Sequence, residues 1–342
     1  MTMKMPNLGL GAILAAACLL AQPAAADTLK AIRDRGNIIC GTSTGVAGFS
    51  TQDANGRWQG FDIDICRALA AAIFNDTEKA SFVPLTSKDR LIALQTGEID
   101  VLPRTTTWTL ARNTGQGVTF TGVNYYDGQG FMVPKKLGVA TASKLDGASI
   151  CVAQGTTSEL NLADYFRRTK MKYEVAAFGT AEDALKAYES GRCDAYTTDV
   201  SALSANLLKF RDPGDHVVLP EVISKEPLGP WVRSGDDAWF NLVRWTLFTL
   251  INAEELGVTK ANVRELAETS ANPEIRRFLG KDGKFGEALG VTNDWTVRII
   301  AAVGNYGESF ERNLGRSSPM KLQRGPNALW TEGGLQYSPP FR

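Results

Sequence analysis

Thr105, Thr106 and Thr107 stand in a row, with Arg104 before them and Arg112 after. Three hydroxyls and the amides between them can surround a polar headgroup. A guanidinium close by can grip a carboxylate with two parallel hydrogen bonds, which lysine cannot do. The segment follows an apolar run, residues 99–102, of the kind that forms a buried strand in a parallel sheet. In open α/β sheets, small ligands dock at such strand ends. An ordinary strand-to-helix loop with a surface arginine would read the same way, so the rest of the chain has to decide.

Other chemistries are thinly represented. His216 is the sole histidine, which excludes an H-E-x-x-H zinc protease and a multi-histidine metal centre. It follows Asp212-Pro213-Gly214-Asp215 and reads as a solvated loop residue, not as the base of a Ser-His-Asp triad. No cysteine spacing is C-x-x-C, which argues against a zinc knuckle or a thioredoxin-type site. Gly41, Gly45 and Gly48 do not make a G-x-G-x-x-G dinucleotide loop. No metal and no cofactor are expected. Lysine plus arginine number 37, as do aspartate plus glutamate, so there is no basic footprint for nucleic acid.

A partner for the threonine–arginine segment comes from an internal repeat. Strands at 37–41 and 81–85, a helix at 62–74 and a second helix after Ser87 (read as its N-cap) lead to the strand at 99–102. That order is β-α-β-α-β, the signature of a parallel sheet flanked by helices. A like set follows, with strands at 149–153 and 173–178 and helices at 159–168 and 180–190. Aligning Gly97 with Gly191 also superposes Thr86 on Thr180, Asp89 on Asp183 and Asp100 on Asp194. The fold class expected is therefore α/β, with two lobes of like topology. At the same offset Thr105 corresponds to Asp199, each just past its lobe's strand. If the lobes face one another, Asp199 lies across a cleft from Arg112, with hydroxyls between. Those charges match an α-amino acid, its ammonium on Asp199 and its carboxylate on Arg112. Asp199 also suits the N-cap of a helix at 200–208.

Lys4, the apolar residues 8–20 and Ala24-Ala25-Ala26 form a secretory signal, so residues 1–26 are expected to be cleaved on export. The domains expected are residues 27–134 as the first part of lobe one, 135–228 as lobe two, and 229–342 as the completion of lobe one with a helical C-terminal extension. That extension is read as helices at 239–256, 260–268, 273–279 and 294–314, then a mostly extended tail. The crossings between lobes are placed at 128–134 and 228–233. Four cysteines follow the signal, and four allow three pairings. One staple inside each lobe, Cys40–Cys66 and Cys151–Cys193, leaves the hinge free.

Longer motifs carry a resemblance. They are Gly60-Phe61-Asp62-Ile63-Asp64, Thr105-Thr106-Thr107-Trp108-Thr109-Leu110-Ala111-Arg112, Asn124-Tyr125-Tyr126-Asp127-Gly128, Gln154-Gly155-Thr156-Thr157-Ser158-Glu159-Leu160, Ser224-Lys225-Glu226-Pro227-Leu228-Gly229-Pro230 and Val303-Gly304-Asn305-Tyr306-Gly307-Glu308. Together the chain resembles the periplasmic solute-binding proteins of polar amino-acid ABC importers, in the longer subgroup of general L-amino-acid-binding proteins. The resemblance implies a two-lobed type II periplasmic binding protein. It would close on a free L-amino acid, polar or acidic/amide, and hand it to membrane permease subunits. Carried over by motif, Arg112 holds the ligand carboxylate and Asp199 its ammonium. Thr105 and Thr107 add backbone and hydroxyl contacts, and Thr156 and Thr157 offer amides from the second lobe. Phe49 would wall the ligand side chain, the alternative being a plug in the local core, and Arg104 would read an acidic or amide group, the alternative being a solvated arginine. The subgroup leads one to expect Asn at 105 and Asp at 113, where this chain has Thr105 and Asn113. An enzyme on the same scaffold, such as a cyclohexadienyl dehydratase with Glu159 or Asp127 as acid, is the alternative.

Overall fold

The computed structural model describes residues 1–2 and 27–342, so residues 3–26 of the expected signal lie outside the described residues. Strand side chains alternate between faces, and the second lobe shows what that alternation builds. Its sheet runs in the order His216–Val218, Gln129–Pro134, Ala195–Asp199, Ala148–Ala153, Tyr173–Phe178. Phe131, Val133, Ile150, Val152 and Ala195 point to one face and pack on Leu162 and Phe166. Met132, Cys151 and Tyr196 point to the other and pack on Ala184, Leu185 and Leu203. The strands from Ala148, Ala195 and Tyr173 are mutually parallel, whereas Gln129–Pro134 runs antiparallel to its neighbours.

The first lobe is built the same way around Ile38–Thr42, parallel to Ala80–Pro84. The run at 99–102 joins it through Val101, which bridges Cys40, and Leu102, which bridges Trp231. Pro103 follows at once and cannot donate to a ladder, which keeps this strand short. The helix Phe61–Phe74 covers one face and packs against Asp237–Glu255 and Trp295–Val303, so the C-terminal helices enlarge this lobe's core.

Several expectations shift. Gln129–Pro134 already belongs to the second sheet, and Trp231–Arg233 already pairs with Val118–Phe120 of the first lobe. The crossings are therefore Tyr125–Asp127 and Glu226–Leu228, paired antiparallel with Glu226 opposite Asp127. Close packing at their ends demands glycine. A Cβ on Gly128 would lie 2.9 Å from the Ser224 carbonyl, and one on Gly229 only 1.9 Å from the Gly122 carbonyl. Ser87 does not cap the third helix, which spans Arg90–Thr96; Thr86 instead accepts the Asp89 amide. The helix read at 294–314 breaks at Gly304 (φ +83°), because Asn305 and Glu308 form a capping box that starts Tyr306–Asn313. The tail is not simply extended. Asn327 brackets the backbone of Tyr126, and Leu329 bridges Gln336.

The repeat has a physical counterpart. Thr86 and Thr180 each donate to, and accept from, the aspartate three residues on. Asp100 and Asp194 each accept a strand amide, from Ile39 and Ser149. Cys40 is bonded to Cys66 (Cα–Cα 6.4 Å) and Cys151 to Cys193 (5.7 Å), one bridge in each lobe.

Candidate functional site

Where the two sheets face each other, a cavity of about 450 Å³ opens between the lobes. The lobes touch around it. The Lys209 ammonium donates to the Gly45 carbonyl at 2.9 Å, and a Cβ on Gly155 would press against Lys88.

Of the residues singled out above, Arg104, Thr105, Thr107, Thr156, Thr157 and Asp199 line this cavity. Thr156 caps the helix Thr157–Thr169. Its hydroxyl accepts the Glu159 amide and donates to the Ala153 carbonyl, so the side chain has no proton left to give a ligand. That helix aims its positive N-terminal end into the cavity, a setting that favours a carboxylate. Asp199 occupies the N-cap position of Val200–Leu207, yet its side chain makes no cap hydrogen bond. Burial pushes its carboxyl well above the usual range, Asp127 and Glu226 add repulsion, and Arg90 and Arg112 oppose the rise.

Arg112 is buried and set back from the cavity wall, donating Nη1–H to the Thr107 carbonyl at 3.0 Å. Burial lowers its pKa, while Glu226 and Asp199 act to raise it. Phe49 is a correction. It is wholly buried, edge-on to Tyr125 at 5.2 Å and to Phe61 at 6.4 Å, and it plugs the first lobe's core instead of walling the cavity. An apolar ring is more stable in that aromatic cluster than beside a polar cleft.

Two residues escaped the sequence reading. Arg90 lies 4 % exposed on the cavity wall, donating to the Thr105 carbonyl at 3.1 Å with its Nε unpartnered. A basic residue in the first turn of a helix opposes the helix dipole, and that was the available signal. Glu226, 1 % exposed on a hinge strand, receives hydrogen bonds from both lobes. Nothing local in Glu226-Pro227-Leu228 announces such partners.

The electrostatics are polarised. Arg104 has an unpartnered Nε, and burial carries its pKa down to about 10. Among the described residues, no carboxylate oxygen lies within 4.0 Å of Arg90, Arg104 or Arg112. Asp199 shares the cavity with Arg90 and Arg104, and the charges of Glu226 and Asp127 act on it from close by, Asp127 itself being pushed up to about 6 by burial despite hydrogen bonds from Ser201. Asp62, behind Arg104, is carried up to about 7 for the same reason. Unpaired cations on one side and carboxylates on the other suit a zwitterion.

A pH dependence follows. A carboxyl raised on folding stabilises the fold most fully below its unfolded value near 4, and that contribution is lost as pH rises through the folded value. The loss therefore runs from about pH 4 up to about pH 6 for Asp127 and up to about pH 7 for Asp62. If Asp199 pairs with a ligand ammonium it must be ionised, and binding should then release protons. The thermal shift caused by an amino acid should be larger at pH 8 than at pH 5. Denaturation scans at both values check this, and a larger shift at pH 5 would contradict it.

His216 is absent from the cavity wall; its Nδ1 is hydrogen-bonded to the Tyr188 hydroxyl at 2.7 Å and its ring packs on Phe210. Two lobes, two crossing strands and a charged cleft between them define a type II periplasmic solute-binding fold. The family "Bacterial extracellular solute-binding proteins, family 3" matches residues 38–261, and the chain belongs to it. It is 53% identical to the general L-amino acid-binding periplasmic protein AapJ of Rhizobium johnstonii, over 99% of this chain and 100% of that one. It is 51% identical to the glutamate/glutamine/aspartate/asparagine-binding protein BztA of Rhodobacter capsulatus, over 96% and 97%. An ABC transporter periplasmic binding protein from Brucella ovis, solved with glutathione bound, superposes with a TM-score of 0.91 at 54% identity, covering 93% of this chain and 100% of that one. These relatives are solute-binding proteins rather than enzymes, which sets the dehydratase alternative aside.

Proposed function

We propose that the cleft of this periplasmic amino-acid-binding component of an ABC importer selects L-amino acids with acidic or amide side chains. Asp199 takes the ammonium. Arg112 and the amides at the start of Thr157–Thr169 take the α-carboxylate, Thr105 and Thr107 close around the headgroup, and Arg90 and Arg104 reach the side chain. One observation carries the reading: two buried arginines without a carboxylate partner, Arg90 and Arg104, share a single cavity with the buried Asp199, and Arg112 stands behind its wall. Each guanidinium left unpaired costs free energy that a ligand carboxylate or amide recovers. Closure over the ligand presents it to the permease subunits.

A thermal-shift screen of the standard amino acids tests this. Glutamate, glutamine, aspartate and asparagine are expected to raise the melting temperature most; stabilisation by lysine or arginine alone would refute the selectivity. A second reading, a γ-glutamyl peptide such as glutathione, is favoured by the cavity's length. The face of Ala181–Glu189 bearing Glu182, Lys186 and Glu189 continues the wall over residues 182–189, about 10 Å of helix. Glutathione keeps a free α-amino acid headgroup at its γ-glutamyl end, so the same anchors serve it. In the same screen it would then outrank glutamate.

A further inference from the structure

Glu226 uses every acceptor position it has. Its Oε2 receives the Thr107 hydroxyl at 2.5 Å and the Thr157 hydroxyl at 2.8 Å. Its Oε1 receives Asn161 Nδ2 at 2.7 Å and the Ser224 hydroxyl at 2.6 Å. A carboxylate offers about four acceptor sites, and each of the three hydroxyls is the donor in its bond. Thr107 belongs to the first lobe, Thr157 and Asn161 to the second, and Glu226 to the hinge strand between them.

This fixes the polarity of two cavity hydroxyls. A threonine hydroxyl has one proton and two lone pairs. With both protons given to Glu226, Thr107 and Thr157 face the cavity with lone pairs only. Their oxygens lie 3.3 Å apart, and with neither proton free they cannot bond to each other. Two lone-pair-bearing oxygens at that spacing are stable together when a third group donates to both. An ammonium has three N–H bonds and does so; a carboxylate would be repelled.

We propose that Glu226 is a positioning residue that sets Thr107 and Thr157 as acceptors for the ligand's ammonium group, so that the cleft discriminates amino acids from their des-amino analogues. The proposal rests on the headgroup reading above and extends it. Glu226 does this without touching the ligand, and because its donors come from both lobes the polarity is imposed on closure.

The test compares L-glutamate with glutarate, which differ only in the amino group, by competition calorimetry on the full mature chain. Replacing Glu226→Leu frees both hydroxyl protons, and the glutamate-to-glutarate affinity ratio should fall by at least about tenfold. Thr157→Val should lower the ratio similarly, and Thr157→Ser, which keeps the hydroxyl, should preserve it. If Glu226→Leu does not fold, as read by circular dichroism, the two Thr157 variants decide the matter. A ratio unchanged while both affinities fall together marks a merely structural role and overturns the proposal. A wild-type protein that binds glutarate as tightly as glutamate also overturns it. A wild-type protein that binds no α-amino acid at all is a separate result, since it refutes the headgroup reading itself.

Discussion

Asp199→Asn is expected to weaken amino-acid binding by about 2–4 kcal/mol, roughly 30- to 700-fold, while leaving the ligand-free protein as stable as wild type or more so. The two halves of this result have one cause. Asp199 lines the cavity with no cap bond, and burial with Asp127 and Glu226 close by holds its carboxyl well above the usual range. An ionised carboxylate there is unfavourable until a cation arrives, so neutralising it relieves the empty site. The same change removes the partner that an ammonium needs and leaves that cation buried. A binding residue kept at the expense of stability is the usual signature of a site. Calorimetry gives the first half and thermal denaturation the second. Near-wild-type affinity, or a clear loss of stability in the empty protein, would contradict the assignment.

Arg112→Ala should cost about 2–5 kcal/mol in binding, and here the empty protein should suffer too. The guanidinium supports the Thr107 carbonyl, and Glu226 and Asp199 lose a compensating charge with it. Arg112→Lys separates charge from shape: it keeps the cation but loses the planar fork, and should recover only part of the affinity. The contrast with the wall arginines is informative. Arg90 and Arg104 stand on the cavity surface and Arg112 behind it. If Arg112→Ala bound almost normally by calorimetry, the α-carboxylate would belong to Arg90 or Arg104.

The lobes were legible because their signals are local and repeated. The β-α-β order recurs in the second half of the chain, and the threonine–aspartate pairs at 86/89 and 180/183 mark the same turn in each lobe. Asp199 was found through that repeat, as the counterpart of Thr105. The misses have physical reasons. Phe49 was misassigned and Arg90 passed over because a loop phenylalanine and a first-turn arginine both look exposed until the chain folds around them; only tertiary packing buries one in the core and turns the other into the cleft. The helix break at Gly304 was readable, since Asn305-Tyr306-Gly307-Glu308 has capping-box spacing, yet the apolar pattern on either side concealed it. Glu226 was not readable as a site residue. Its partners Thr107, Thr157 and Asn161 are 119, 69 and 65 residues away.

The central claim concerns which end of the ligand faces which charges, and a crystal structure with the most stabilising amino acid bound tests it most directly. The account predicts the ligand's ammonium within hydrogen-bonding distance of Asp199, Thr107 and Thr157, with its α-carboxylate toward Arg112 and the start of Thr157–Thr169. A ligand bound in the reverse sense, or outside the interlobe cavity, would contradict it.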